Sequence, residues 1–146
     1  MVDLWPKDIS EISIKSPVAI LREQASLLGQ KTKGLVTAEV KSVSFNTVDY
    51  EPSLIGETDE VFTYGFFISA PSLNYASRLF VIMHGINLYP VTVIPDIDVI
   101  AEGDVTATSE EEFLEILKIF LGSEKTKQII SSLLAQVDLE HPGIPF

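Results

Sequence analysis

The stretch VFTYGFFISAPSLNYASRLFVIMHG, residues 61–85, decides the fold. Phe62, Tyr64, Phe66 and Ile68 alternate along 61–70 and share one face of a strand. The run at 79–84 is apolar on both faces, which predicts a central strand. Between the two, Pro71, Ser72 and Asn74 are turn formers, and Leu73, Tyr75 and Ala76 are placed to pack across the turn. The competing reading is a serine nucleophile with a histidine base. Ser77 and His84 stand seven residues apart on one extended strand, a separation of over about 20 Å. Ser69 and Ser72 lie across the turn from the start of that strand and are equally remote from His84. No G-x-S-x-G occurs, and the chain is short for an α/β-hydrolase. The stretch is a β-hairpin. Gly65 inside it predicts a close approach by a neighbouring helix or ligand.

Working outward, residues 1–15 form a lead-in, with EISIK (11–15) a short strand or irregular. A helix follows, with Ser16 as N-cap, Pro17 at its first position and Gly34 just past its end. Ile20, Leu21, Ala25, Leu27 and Leu28 share its apolar face, and Lys31 and Lys33 suit its C-terminal dipole. From 35 to 45 Val36, Ala38 and Val40 alternate, and Val43 and Phe45 fall out of phase, predicting a bulge near Lys41 and Ser42. Residues 46–60 carry Pro52 and Gly56 and predict a surface loop. A fourth strand spans 88–94; Pro90 places it at an edge or makes it begin past the proline.

The last third is helical. Ser109 and Glu112 make a capping box ahead of a stripe of Phe113, Ile116, Leu117, Phe120 and Leu121, which ends at Gly122. A second helix over 124–136 carries Ile129, Ile130, Leu133 and Leu134, and 138–146 is an irregular tail. The expected architecture is therefore one α+β domain over 1–146. It has two layers, a four-stranded, mainly antiparallel sheet in the order helix–strands–helix–helix, and helices on one face.

Composition narrows function. The chain has 146 residues, no cysteine and 46% apolar residues. Mean hydropathy is +0.27, greasy for a soluble chain, and a homodimer is the commonest way to cover such a surplus. Without cysteine there is neither a disulfide framework nor a thiolate metal site. The start lacks a basic region followed by an apolar one, and no run approaches the roughly 20 residues of a membrane span, so a cytoplasmic protein is expected.

The net charge of −11 is uneven. Residues 1–45 carry six bases and five acids; residues 46–146 carry four bases and sixteen acids. Two stretches hold thirteen of those acids and no base: 49–60, and 96–115. Such a field repels nucleic acid and anionic lipid and attracts basic proteins, although a solvated acidic surface also simply aids solubility.

Catalytic and cofactor motifs are lacking. Phosphate-cradling glycine motifs do not occur. Asp96, Asp98, Glu102 and Asp104 could suit a hard cation, but their spacing departs from the calcium-loop pattern, so no metal is expected. The element order is similar to that of the double-stranded-RNA-binding domain in outline. That family needs bases where this chain has SEEE (109–112), so the resemblance fails. Trp5–Pro6 either anchors a partner or pins the lead-in to the body. Leu114 and Ile119, off the main stripe, either sit under the tail or form a dimer seam.

The expectation is a non-enzymatic, cofactor-free binding protein, similar in bulk properties to immunity proteins, antitoxins, inhibitors and secretion chaperones. It engages a basic protein through Asp49, Glu51, Glu57, Asp59, Glu60, Asp96, Asp98, Glu102 and Asp104. The rival is a small-molecule-binding domain or enzyme, with a pocket between sheet and helices that presents Tyr64, Asn74, Tyr75, Arg78 and His84. In it Arg78, the sole base between Lys41 and Lys118, would meet an anionic group.

Overall fold

The computed structural model describes residues 1–43, 61–96 and 103–140. Within them the elements are α1 (Pro17–Lys31), β1 (Thr37–Ser42), β2 (Phe62–Ala70), β3 (Tyr75–His84), β4 (Val91–Pro95), β5 (Val105–Ala107), α2 (Glu110–Leu121) and α3 (Glu124–Glu140). The strands form one antiparallel sheet in chain order, β1 to β5, so the α+β class holds. The sheet has five strands rather than four. Strand β5 has three residues, too few to show a period, yet it pairs with β4 from Val91–Ala107 to Val93–Val105.

The hairpin is as expected. β2 and β3 pair from Phe62–His84 to Ala70–Tyr75, around a short 3₁₀ turn at Pro71–Leu73 and Asn74 in the left-handed region. β3 is the central strand. β4 begins past Pro90 and lies inside the sheet, between β3 and β5.

The expected bulge near Lys41 does not occur; β1 and β2 pair without a break from Thr37–Ser69 to Ser42–Tyr64. Simple alternation explains the change of phase: Ala38 and Val40 face the helices, and Val43 joins a second cluster with Val81 and Met83. The irregularity is in β3 instead. Phe66 pairs with Phe80 and Phe67 with Arg78, which leaves Leu79 unpaired. Both Leu79 and Phe80 thereby enter the helix-side core.

All three helices contribute to that core, through Ile20 and Leu21 of α1, Phe113 and Phe120 of α2, and Leu133 and Val137 of α3. The lead-in 11–15 is irregular rather than a strand. α3 runs on to Glu140, past the expected 136, and Val137 adds a further buried turn. The tail beyond 140 lies outside the described residues.

Local chemistry sets the helix ends. The Ser16 hydroxyl accepts the Ala19 N–H at 3.2 Å ahead of Pro17. At the other end Gly34 N–H reaches Gly29 O at 2.8 Å and Lys33 N–H reaches Gln30 O at 3.3 Å. This is the Schellman closure. The residue just past the C-cap is Lys33, at φ 55, and Gly34 follows at φ 80. The Thr32 side chain ties the turn down, with Oγ1 2.6 Å from Val36 O and accepting the Val36 N–H at 3.2 Å.

Lys33 is a side-chain-bearing residue in a conformation that favours glycine. Replacing it (Lys33→Gly) should stabilise the fold by about 0.5–1 kcal/mol, the relief of left-handed strain less glycine's added unfolded-state entropy. A urea midpoint that falls instead would refute this account of the turn.

Candidate functional site

The five residues of the pocket reading fall in three places. His84 and Tyr64 share the helix face at one end of the sheet, with the His84 ring 5.6 Å from that of Phe62 and 6.1 Å from that of Tyr64. Asn74 and Tyr75 sit at the hairpin turn, about 30 Å away along β3. Arg78 is on the opposite face, its Cδ against the open side of Gly65. No single pocket gathers them.

His84 is 3% exposed, and its Nδ1 lies 2.7 Å from Gly85 O. A carbonyl only accepts, so Nδ1 is the donor there, and among the described residues the buried Nε2 has no hydrogen-bond partner. Among the described residues no serine, threonine or carboxylate is bonded to it, and the ring stacks with Phe62 and Tyr64. Tyr75 lines a shallow cleft of about 410 Å³ beside Leu73 and the Lys125, Gln128, Ser132 and Gln136 stripe of α3. Among the described residues no group of three or more histidine and carboxylate side chains could hold a metal, and no helix is long and apolar enough to cross a membrane.

Arg78 is committed to Asp96. Its Nε donates to Oδ2 at 2.6 Å and its Nη2 to Oδ1 at 2.9 Å, with both side chains about a quarter exposed. This two-pronged hydrogen bond raises the guanidinium pKa above its ordinary value. The close approach at Gly65 comes from side chains of the sheet itself rather than from a helix. A Cβ there would stand 2.8 Å from the Phe67 ring and 3.1 Å from the Arg78 stem. Lys41 lies over the same ring, 5.1 Å from its centroid.

Several of the acids that can be placed lie at the β5 edge of the sheet. Asp104, exposed, leads into the edge strand β5, and α2 packs against that strand. Glu111 and Glu115 are exposed and make no ion pair among the described residues, and Leu114 and Ile119 stand exposed beside them at 45% and 55%. Two neighbours are already engaged. Glu110 accepts the Lys15 N–H at 3.2 Å, and Glu112 accepts the N–H and hydroxyl of Thr108, each at 2.7 Å. The capping box thus closes on Thr108 rather than on Ser109, whose hydroxyl accepts the Glu112 N–H at 3.2 Å. The opposite sheet edge is β1, where Lys41 pairs with Glu39 at 3.3 Å, and on it packs α1, with Arg22, Lys31 and, just beyond, Lys33, and with Glu23 paired to Lys15. Asp49, Glu51, Glu57, Asp59, Glu60, Asp98 and Glu102 lie outside the described residues.

Sequence reasoning missed the state of the lead-in. Trp5 is 72% exposed, so it does not pin the segment to the body. The available signal was the apolar content of 1–14 without a helix or strand period to bury it.

Two outcomes follow from these contacts. Asp96→Asn should cost about 1–2 kcal/mol in urea unfolding, with Arg78→Gln adding little on top, as for a coupled pair that is partly screened. No loss would mean the pair is solvated surface. The Thr108 bonds hold the Glu112 carboxyl below its ordinary 4.5. A depressed folded pKa means stability present above 4.5 and lost as pH falls through the lower folded value. Glu112→Gln should therefore flatten the acid limb of a stability–pH curve, and an unchanged limb would contradict the bonding described.

Comparison with protein-family models, with curated proteins and with solved structures returns no match for this chain.

Proposed function

We propose that this protein is a non-enzymatic binding protein that engages a basic protein partner through its acidic stretches. The observation that carries the reading is the lining up of unpaired charge with one edge of the sheet. Asp104 leads into β5 and Glu111 and Glu115 lie on α2, which packs against it, whereas the acids of α1 and β1, Glu23 and Glu39, are each paired with a lysine. A dipolar distribution of this kind orients a cationic partner during approach as well as attracting it.

A surface kept acidic only for solubility needs no apolar residues among its charges. Here Leu114 and Ile119 stand between Glu111, Glu115 and Lys118 on the outer side of α2. An apolar centre within a charged rim is the anatomy of a protein interface. The acids of 49–60, with Asp98 and Glu102, add to the same negative charge in the sequence. Immunity proteins, antitoxins, inhibitors and secretion chaperones share this combination of small size, acidity and lack of cysteine.

The test is affinity capture from the source cell with identification of what binds, run with the parent and with an Asp104→Asn/Glu111→Gln/Glu115→Gln variant whose fold is checked by circular dichroism. The parent should retain a basic protein that salt releases. The variant should bind it at least about tenfold more weakly, mainly through a slower on-rate. Equal binding by the two, or a retained partner without excess positive charge, would sink the reading.

A further inference from the structure

Residues 1–15 are exposed without exception, and they include Leu4 at 87%, Trp5 at 72%, Ile9 at 63% and Ile12 at 87%. The segment holds itself in turns, with Ile9 N–H bonded to Pro6 O and Glu11 N–H to Asp8 O. It is tied to the body at its root, where the Lys15 N–H reaches Glu110 and the Lys15 carbonyl accepts the Tyr89 hydroxyl at 3.0 Å. So many large apolar side chains on one peptide, displayed together, mark a docking element.

The same fold has a vacancy of matching character. A groove of about 240 Å³ opens between α1 and α3, floored by Phe66 and Ile68 of β2 and walled by Leu27, Leu28, Leu121 and Ile130. Drug-sized ligands occupy clefts of about 300–1,000 Å³, so this one suits a single large side chain rather than a small molecule. Among the described residues its one charged lining residue is a base, Lys31, with Lys33 two residues further along the chain. Residues 1–14 are acidic as well as apolar, with Asp3, Asp8 and Glu11 against Lys7 alone. Peptide and groove are thus complementary in both hydrophobicity and charge.

Within one chain the two are apart. The segment leaves from the N-terminal end of α1, and the groove opens about 16 Å further along that helix. We infer that the groove takes the segment of a second copy, so that two chains pair by exchanging residues 1–14 across a twofold axis. Trp5 is the side chain that fills the groove, being the largest and most rigid in the segment. Asp3 and Asp8 flank it and face Lys31 and Lys33. The exchange is isologous, so each copy gives one segment and covers one groove.

Trp5 is the only tryptophan, so its emission reports the segment alone. Light scattering on the full chain should find a dimer that dissociates on dilution. Trp5 emission should shift to the blue, and its quenching by acrylamide should fall, over the same concentration range. Leu27→Glu, at a groove position already 43% exposed and so harmless to the fold, should abolish both changes. Lys31→Glu should weaken dimerisation by roughly tenfold, and adding Asp3→Lys/Asp8→Lys should restore it. A monomer at every concentration, a dimer with Trp5 still fully quenched, or a protected Trp5 in a monomer would each overturn the proposal. None of these readouts depends on the basic partner, so the two readings fail separately.

Discussion

The structure depends on a register defect. Were β3 to pair with β2 without interruption, its alternation would send Leu79 to the face opposite the helices, alongside Val81 and Met83. By leaving Leu79 unpaired between Phe80 and Arg78, the chain turns Leu79 and Phe80 together toward the helices and still directs Arg78 outward. Phe80 then stacks on Phe66 at 5.2 Å and receives the edge of Phe120 at 5.5 Å, which ties α2 to the central strands. The Leu79 carbonyl accepts the Asp96 N–H at 2.9 Å, so the defect also helps set where Asp96 meets Arg78.

Features governed by neighbours in sequence were the legible ones. Ser16–Pro17 starts α1, Ser109 starts α2, Gly122 ends it, and Pro71 to Asn74 turn the hairpin, because each acts on backbone within four residues of itself. Features decided by another strand were not. A change of phase in β1 looks like a bulge until the far face of the sheet is known to hold its own cluster, around Val81 and Met83. Three residues of β5 have no recognisable period without β4 to pair with. Two polar groups that looked available proved engaged or enclosed. Arg78 is held by Asp96, and His84 is packed between aromatic rings, at opposite faces of one sheet.

The uneven charge of the sequence acquires a direction only through topology. A meander that adds strands in chain order keeps early and late residues at opposite edges, so α1 and β1 on one side carry Arg22, Lys31 and Lys41 against Glu23 and Glu39, and β5 and α2 on the other carry Glu110, Glu111, Glu112 and Glu115 against Lys118 alone. A fold that returned its last strand beside its first, as a Greek key does, would have mixed the two and cancelled the field. Steering therefore needs only the sequence bias and the strand order.

The same arrangement restricts how two copies can meet. Each chain carries a net charge of −11, so contact between acidic edges is repulsive, and a pair must form through the least acidic surface. The flank of α1 offers such a surface, with Lys31 lining the apolar groove and Lys33 two residues further along the chain. Exchange of an acidic, apolar peptide into that groove removes hydrophobic area from water and neutralises Lys31 of its lining in one step. Apolar contact alone would leave Lys31 and Lys33 beside a partner surface without counter-charge, and ion pairing alone between exposed groups is worth little. Only the combination accounts for apolar side chains and carboxylates being interleaved along one segment, Leu4 and Trp5 next to Asp3, and Ile9 next to Asp8.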